Sequence, residues 1–173
     1  LIKTLRLFLE PVRATHAAAM FAGLRDERAY KYLSEDPPQN VQALSSRYAL
    51  LAGQVSPTGE VWLNWMLRRR GAEYYVGYVQ ATIYRKRHMA MIAYHIFPAF
   101  WGQHLAREAV KGMIGAIGAE YGLKEVRAQI DPRNEASLKV VESLGFVVRG
   151  TVPAGRSRTG PPEDDLYVLT LES

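Results

Sequence analysis

The stretch Tyr94-His95-Ile96-Phe97-Pro98-Ala99-Phe100-Trp101-Gly102-Gln103-His104-Leu105-Ala106-Arg107-Glu108-Ala109 decides the fold, because it carries an apolar strand through a compact loop into a long helix. The strand, read over 89–97, is apolar on both parities: Met89, Met91, Ala93 and Phe97 on one face, Ala90, Ile92, Tyr94 and Ile96 on the other. A strand of that pattern is buried on both sides and therefore central. The helix carries Val110, Met113, Ile114, Ile117 and Tyr121 on one stripe and meets a stop at Gly122. Gly112, Gly115 and Gly118 recur inside it, each costing about 1 kcal/mol relative to Ala, and close packing against a sheet is the expected compensation. A one-sided strand with Val126, Ala128 and Ile130 follows, which completes a βαβ unit of right-handed crossover. The free N–H groups at the start of the long helix form a site for an anion.

Working outward, Leu5 to Pro11 reads as a first strand of edge character, ended by proline. Thr15 is placed to cap a helix over 17–24, and a second helix starts near Asn40 with Val41, Leu44, Tyr48 and Leu51 at helical spacing. The segment 33–38 between them is a loop. Strands over 61–69, 75–84 and 89–97, joined by short turns, make an antiparallel meander. At the other end come a helix over 134–144, a strand over 146–152, a Pro/Gly-rich loop and a strand over 166–171. The expected architecture is α/β: a single mixed, mostly antiparallel sheet with helices on both faces and a central βαβ unit.

At 173 residues the chain is sized for one domain, 1–173. With 48% hydrophobic and 23% charged residues it has the composition of a globular protein rather than a disordered or fibrous one. Cysteine is absent, which excludes disulfides, thiolate metal sites and a cysteine nucleophile; the expected compartment is the cytoplasm. No stretch reaches the ~20 apolar residues of a spanning helix, so no membrane partner is expected. The net charge of +5 favours anionic ligands, but the basic residues are divided between turns. Arg68-Arg69-Arg70 falls at the same sheet end as the Trp101 loop, where it can attract phosphates or remain a solvated turn. Arg85-Lys86-Arg87 falls at the opposite end, and nucleic acid is accordingly disfavoured as a partner. No metal cluster is visible, and a homodimer is compatible with everything above.

A second informative stretch is Asp131-Pro132-Arg133-Asn134-Glu135-Ala136-Ser137-Leu138-Lys139-Val140-Val141-Glu142-Ser143-Leu144-Gly145-Phe146. Asn134 can cap its helix, and Ser137 shares the inward face with Val140, Val141 and Leu144. The ordered pair, Trp101-Gly102-Gln103-His104-Leu105-Ala106-Arg107-Glu108-Ala109 followed by Asn134, Ser137, Glu142, Gly145 and Phe146, resembles the GNAT superfamily of acetyl-CoA-dependent N-acetyltransferases. Within it, the likeness is to the branch that acetylates the N-terminal residue of ribosomal proteins, and it covers essentially the whole chain. The resemblance implies a GNAT fold with acetyl-CoA as cosubstrate. By it, Trp101, Gly102, Gln103, His104, Leu105, Ala106 and Arg107 would hold the pyrophosphate, the backbone near Ile96 and Phe97 would pair with pantetheine, Asn134 would contact the cofactor, and Ser137 would approach the sulfur. His104 stands where the family has glycine. The loop needs backbone N–H groups, which histidine also has, and a helix-start φ is open to any residue.

Two candidates for catalysis follow. Ser137 is placed to protonate the departing thiolate, and His95, on the central strand, to accept a proton from the amine; the simpler readings are a first-turn helix residue and a core histidine bonded to backbone. His16 and His88 read as surface residues. Glu108 reads as an organiser of the helix start. No Asp or Glu occurs over 61–70 or 74–98, so the central strands supply no carboxylate base. A lysine amine with a pKa near ~10.4 needs strong help to deprotonate, whereas an α-amine near ~7.7–8.0 does not, so a weakly basic primary amine is the expected acceptor, small molecule or protein N-terminus. By the same resemblance, and because loops carry specificity, Glu35, Asp36 and the loop 153–165 are expected to border it. The rival readings are a GNAT-like binding module in which His104 has impaired catalysis and, less favoured, a basic nucleic-acid-binding protein.

Overall fold

A computed structural model describes residues 1–155 and 162–171. The described chain forms β1 (Ile2–Lys3), β2 (Leu7–Pro11), α1 (Ala17–Leu24), α2 (Val41–Ala52), β3 (Val61–Arg69), β4 (Tyr75–Tyr84), β5 (Met89–Ile96), α3 (Leu105–Tyr121), β6 (Glu125–Ile130), α4 (Glu135–Ser143), β7 (Val147–Pro153) and β8 (Glu163–Thr170). The strands make one sheet in the order β1-β2-β3-β4-β5-β6-β8-β7. Every pair is antiparallel except β5 with β6, the two strands joined through α3. This is the mixed α/β sheet with a central βαβ unit that the sequence specifies.

Strand alternation divides the core. Leu7, Leu67, Val79, Ile92 and Val126 face α3 and α4, where Val110, Met113, Ile117 and Val141 are buried against them. Met66 and Phe97 face the other way and pack with Met20, Leu44 and Tyr48 of α1 and α2. Each such side chain withdrawn from water contributes about 1.5–3 kcal/mol, so the helices are held by packing more than by propensity. Side-chain caps set two helix starts: Asn40 accepts the N–H of Ala43 at 2.8 Å and Asn134 that of Ser137 at 3.2 Å.

The feature that positions the site is a split between β5 and β6. Their parallel pairing covers Met89–Ile92 with Glu125–Ala128 and then stops. β5 continues to Ile96 against β4, while β6 continues to Ile130 against β8. Gly77 keeps β4 tight on β5 at that end. Its φ is +151°, and a Cβ there would stand 2.0 Å from the His95 carbonyl oxygen, so only glycine fits.

Several expectations are corrected. The first strand is not an edge, because the chain turns at Thr4 and β1 pairs outside it, Ile2 opposite Leu9. Thr15 does not cap α1: a 3-10 turn over Ala14–His16 precedes the helix, and no side chain caps the α1 start. The α3 glycines do not serve the sheet. A Cβ at Gly112 would meet the Thr4 methyl at 2.7 Å, one at Gly118 the Leu171 side chain at 3.4 Å, and one at Gly115 nothing within 4 Å. Within the loop 153–165, residues 156–161 lie outside the described residues.

His16 is the largest correction, since it is 4% exposed. Its Nδ1 accepts the Arg13 N–H at 3.0 Å, so the proton sits on Nε2, which donates to Glu10 at 3.3 Å. Glu10 also receives Arg68 Nε at 2.6 Å and the Tyr75 hydroxyl at 2.8 Å. Burial pushes the Glu10 carboxyl upward, but these three donors outweigh it and hold the group below the ordinary carboxylate range. Burial depresses His16 against the opposing pull of Glu10. A depressed folded pKa means that the unfolded chain binds the extra proton first. The His16 contribution to stability is therefore complete above about pH 6.5 and lost below it, and that of Glu10 is lost as pH falls from about 4.5. Glu10→Gln is expected to lower stability in urea unfolding at pH 7, because the neutral amide weakens the charge-assisted bonds from Arg68, Tyr75 and His16, and to flatten the fall in stability below pH 5. A variant as stable as the parent would remove Glu10 from the framework.

Candidate active site

The split leaves β5 with one unpaired side. The Phe97 N–H donates to the Val76 carbonyl at 2.8 Å, which fixes the alternation. Odd residues turn their backbone groups toward β4, so the Ile96 N–H points into the split. The Ile96 carbonyl is engaged by the Trp101 indole N–H at 2.8 Å, and Trp101 is otherwise half exposed. Phe97 offers no free backbone group, since its carbonyl accepts Phe100 N–H at 2.8 Å and its ring is in the α1–α2 core. Of the two residues expected to pair with pantetheine, only Ile96 has an available N–H.

From the end of β5, one 3-10 turn (Pro98–Phe100) leads to Trp101, Gly102, Gln103 and His104, and α3 begins at Leu105. No side chain caps α3, so the N–H groups of Leu105, Ala106 and Arg107 lack helical partners and face the mouth of the split. His104 occupies the N-cap with φ +58° and ψ 22°, in the left-handed region. The expectation that its φ suits any residue is therefore wrong. The position needs glycine's conformation, and histidine adopts it at a cost of about 1–2 kcal/mol. The loop is tied down from the N-terminal segment. Arg6 donates to the Gln103 carbonyl at 3.0 Å and, through Nε, to Glu108 at 2.6 Å; Glu108 also accepts Thr4 Oγ1 at 2.6 Å and the Arg6 N–H at 2.7 Å. Glu108 thus anchors the first turn of α3. Arg68 is spent on Glu10, and Arg70 on the carbonyls of Thr4 and Leu5 at 2.8 and 3.2 Å.

Ser137 and His95, named together from sequence, lie on opposite faces of the sheet. Ser137 is in the first turn of α4, with its Oγ 2.6 Å from the Tyr94 hydroxyl; Tyr94 also bonds the Ser137 carbonyl at 3.0 Å. Tyr94 was missed from sequence. The signal was available in parity, because even-numbered β5 residues face α4. Burial pushes the Tyr94 hydroxyl up to about 12, against the pull of Ser137, so it keeps its proton at neutral pH. Asn134 uses its carbonyl as the α4 cap. His95 points to the α1–α2 face, 5% exposed, with ring contacts to Tyr30, Tyr78 and Phe97 and, among the described residues, no hydrogen-bond partner for Nε2. The backbone bond of a core histidine is missing at that atom. Burial lowers its pKa and the nearby Glu35 charge opposes this, leaving a neutral imidazole.

Beside His95 lies a cavity of about 240 Å³ between the α1–α2 loop, α2 and the floor of β3 and β4. Glu35 lines it, accepting the Tyr78 hydroxyl at 3.1 Å and pairing with Arg47 at 3.5 Å. A carboxylate therefore reaches the central strands from a loop, although the strands carry none. Asp36 lines the same cavity, and Gly155 lies against Ser34, so the described start of the 153–165 loop meets the α1–α2 loop.

The acetyltransferase (GNAT) domain family matches residues 6–147. The chain belongs to that family. It is similar to the uncharacterized N-acetyltransferase YoaA of Bacillus subtilis (strain 168), 24% identical over 166 residues that cover 95% of this chain and 92% of YoaA. The fold is shared with RimL, the ribosomal L7/L12 α-N-protein acetyltransferase solved with coenzyme A, at a TM-score of 0.83, 14% identity and coverage of 97% and 96% of the two chains. It is also shared with the spermidine N-acetyltransferase of Vibrio cholerae, solved with CoA and spermine, at 0.80, 15%, and 95% of each chain. As a GNAT enzyme the chain is an acetyl-CoA-dependent N-acetyltransferase with acetyl-CoA as its cosubstrate. Among the described residues no cluster suited to a metal ion is present, and no helix is long and apolar enough to cross a membrane.

In this GNAT domain, His104→Gly is expected to raise stability by about 0.5–1 kcal/mol, since relief of the left-handed backbone outweighs the greater freedom of glycine in the unfolded chain. Thermal unfolding with and without acetyl-CoA checks this. A lower Tm in the free protein would contradict the strain at His104.

Proposed function

We propose that the chain, acting as one domain over 1–173, transfers the acetyl group of acetyl-CoA to an α-amino or similarly weakly basic primary amine by direct attack. One observation carries the reading: an unpaired strand edge with a free Ile96 N–H runs into an uncapped helix start, a groove suited to an extended amide chain ending in an anion. The N–H groups of Leu105, Ala106 and Arg107, free of helical partners, would receive the pyrophosphate, with Trp101, Gly102, Gln103 and His104 shaping the loop around it. His104 does not favour the impaired binding module, because it holds the φ that the loop requires.

The opposed faces give the roles. With the thioester in the split, its sulfur faces Tyr94 and Ser137, and its carbonyl carbon is open to an amine arriving along the α1–α2 face. The amine nitrogen forms a bond to the carbonyl carbon, the Ile96 N–H stabilises the oxygen anion, and the carbon–sulfur bond breaks. The ammonium proton passes to His95 or water, and the thiolate takes a proton from the Tyr94–Ser137 pair. A neutral His95 accepts a proton from an amine of pKa near ~8 far more readily than from a lysine of ~10.4. Protein N-termini, the acceptor class in RimL's description, belong to this weakly basic class, which is what supports the ribosomal-protein N-terminal branch.

Thiol release with a panel of α-amines at saturating acetyl-CoA tests the assignment. Tyr94→Phe and Ser137→Ala are each expected to lower kcat about 10²-fold with little change in acceptor KM, and the double variant to be little worse than either, because the two hydroxyls act as a unit. Additive losses would separate them, and unchanged kcat in both folded variants would remove the pair from the chemistry.

A further inference from the structure

The cavity beside His95 contains polar groups that the fold leaves without partners. Tyr48 is 4% exposed, and its hydroxyl is buried with no hydrogen bond among the described residues. Asn64, 8% exposed on β3, and Gln80, directly opposite it on β4, both line the cavity, and neither carboxamide bonds to another described residue. The Asn64 backbone is satisfied, since its carbonyl accepts Val12 N–H at 2.9 Å, so the side chain is not needed to hold the strand. An unpaired buried polar group is a cost to the folded chain, and the Tyr48 hydroxyl, with the unbonded carboxamides of Asn64 and the half-buried Gln80 around the same cavity, marks the place of a ligand that supplies their partners.

The chemistry of the three groups is specific. Each carboxamide presents one carbonyl acceptor and an NH2 donor, and the tyrosine hydroxyl presents one of each. The three charged residues that line the same cavity, Glu35, Asp36 and Arg47, are already engaged, Glu35 with the Tyr78 hydroxyl and with Arg47. The wall is therefore complementary to a neutral group that both donates and accepts, as an amide does. It is poorly matched to the second ammonium of a polyamine, to a free carboxylate or to a plain alkyl chain. The floor continues from Gln80 to its β5 neighbour Ala93, which is exposed on the same face, and from Tyr78 to its neighbour His95. An acceptor seated in the cavity thus has an open path for its amine toward the split.

We propose that this cavity selects acceptors whose amine stands next to an uncharged amide, an amino amide, and that Tyr48, Asn64 and Gln80 are the specificity-determining residues that bind that amide. The proposal rests on the reading of the α1–α2 face as the acceptor side, and it names the class of amine.

Two measurements test it. The first is kcat/KM for alaninamide, alanine, isopropylamine and spermidine in the parent and in Tyr48→Phe, Asn64→Leu and Gln80→Leu. The parent prefers alaninamide, and the ratio of alaninamide to isopropylamine falls about tenfold in each variant, through KM more than kcat. Because Tyr48→Phe removes a buried unpaired hydroxyl, its free-state Tm holds or rises by about 2–4 °C, whereas a structural role would lower it. The second measurement does not depend on turnover: on titration with alaninamide, the side-chain NH2 signals of Asn64 and Gln80 in 15N NMR shift, and with isopropylamine they do not. Shifts without acetyl transfer to any amine would defeat the proposed function and leave this selectivity standing. Transfer with unmoved signals and unchanged ratios, or a parent that prefers spermidine, would overturn it. Alanylglycinamide distinguishes the two sources of the amide: a kcat/KM above that of alaninamide marks a peptide N-terminus, a value below it a free amino amide, and both support the amide assignment.

Discussion

A β-strand in the middle of a sheet normally has both edges paired, and β5 does not. Its last four residues pair with β4 on one side and with no strand on the other, because β6 is drawn away with β8 along a six-residue antiparallel ladder. Unpaired backbone groups are tolerated where something else can satisfy them, here water or an extended ligand. The rest of the arrangement follows from that opening. Gly77 allows β4 to hold β5 firmly where its other neighbour is lost, Trp101 takes the Ile96 carbonyl at the end of the gap, and α3 starts without a side-chain cap at its mouth.

The opening also gives meaning to the two-sided distribution of chemistry. Tyr94 and Ser137 stand on the α3–α4 face and His95 on the α1–α2 face, with adjacent positions of one strand sending side chains in opposite directions. A group lying in the plane of the sheet is within reach of both faces at once. In the proposed reaction this separates the proton donor for the leaving sulfur from the proton acceptor for the incoming amine. Neither acid nor base then has to share a pocket with the other. Both sides are held by neighbours outside the reacting groups: Asn134 caps the helix that carries Ser137, and the Tyr30 and Tyr78 rings pack around His95.

What was legible in the sequence was what period and spacing encode. β3 and β4 have the ends read from their alternation, Asn40 and Asn134 cap the helices assigned to them, and the apolar stripe of α3 is buried as its spacing requires. What was not legible depends on contacts between distant segments. His16 looks like a surface residue until Glu10 and Tyr75 arrive from two strands to cover it, with Arg68 holding Glu10 from a third. Gly112 is explained by Thr4, more than a hundred residues away, and the carboxylate near His95 comes from a loop. The left-handed φ of His104 is of the same kind. The motif records that glycine is usual there, but the reason is the angle at which the chain leaves Trp101 and enters α3, which the strand and helix set together.

The central claim is that acetyl-CoA lies along the free edge of β5 and ends at the start of α3. The most direct measurement is amide hydrogen exchange at single residues, with and without saturating acetyl-CoA. The account predicts that the Ile96 amide, unpaired in the free protein, slows at least tenfold on binding, together with Leu105, Ala106 and Arg107, while Phe97, already bonded to Val76, changes little. Protection that appears elsewhere while Ile96 stays fast would contradict it.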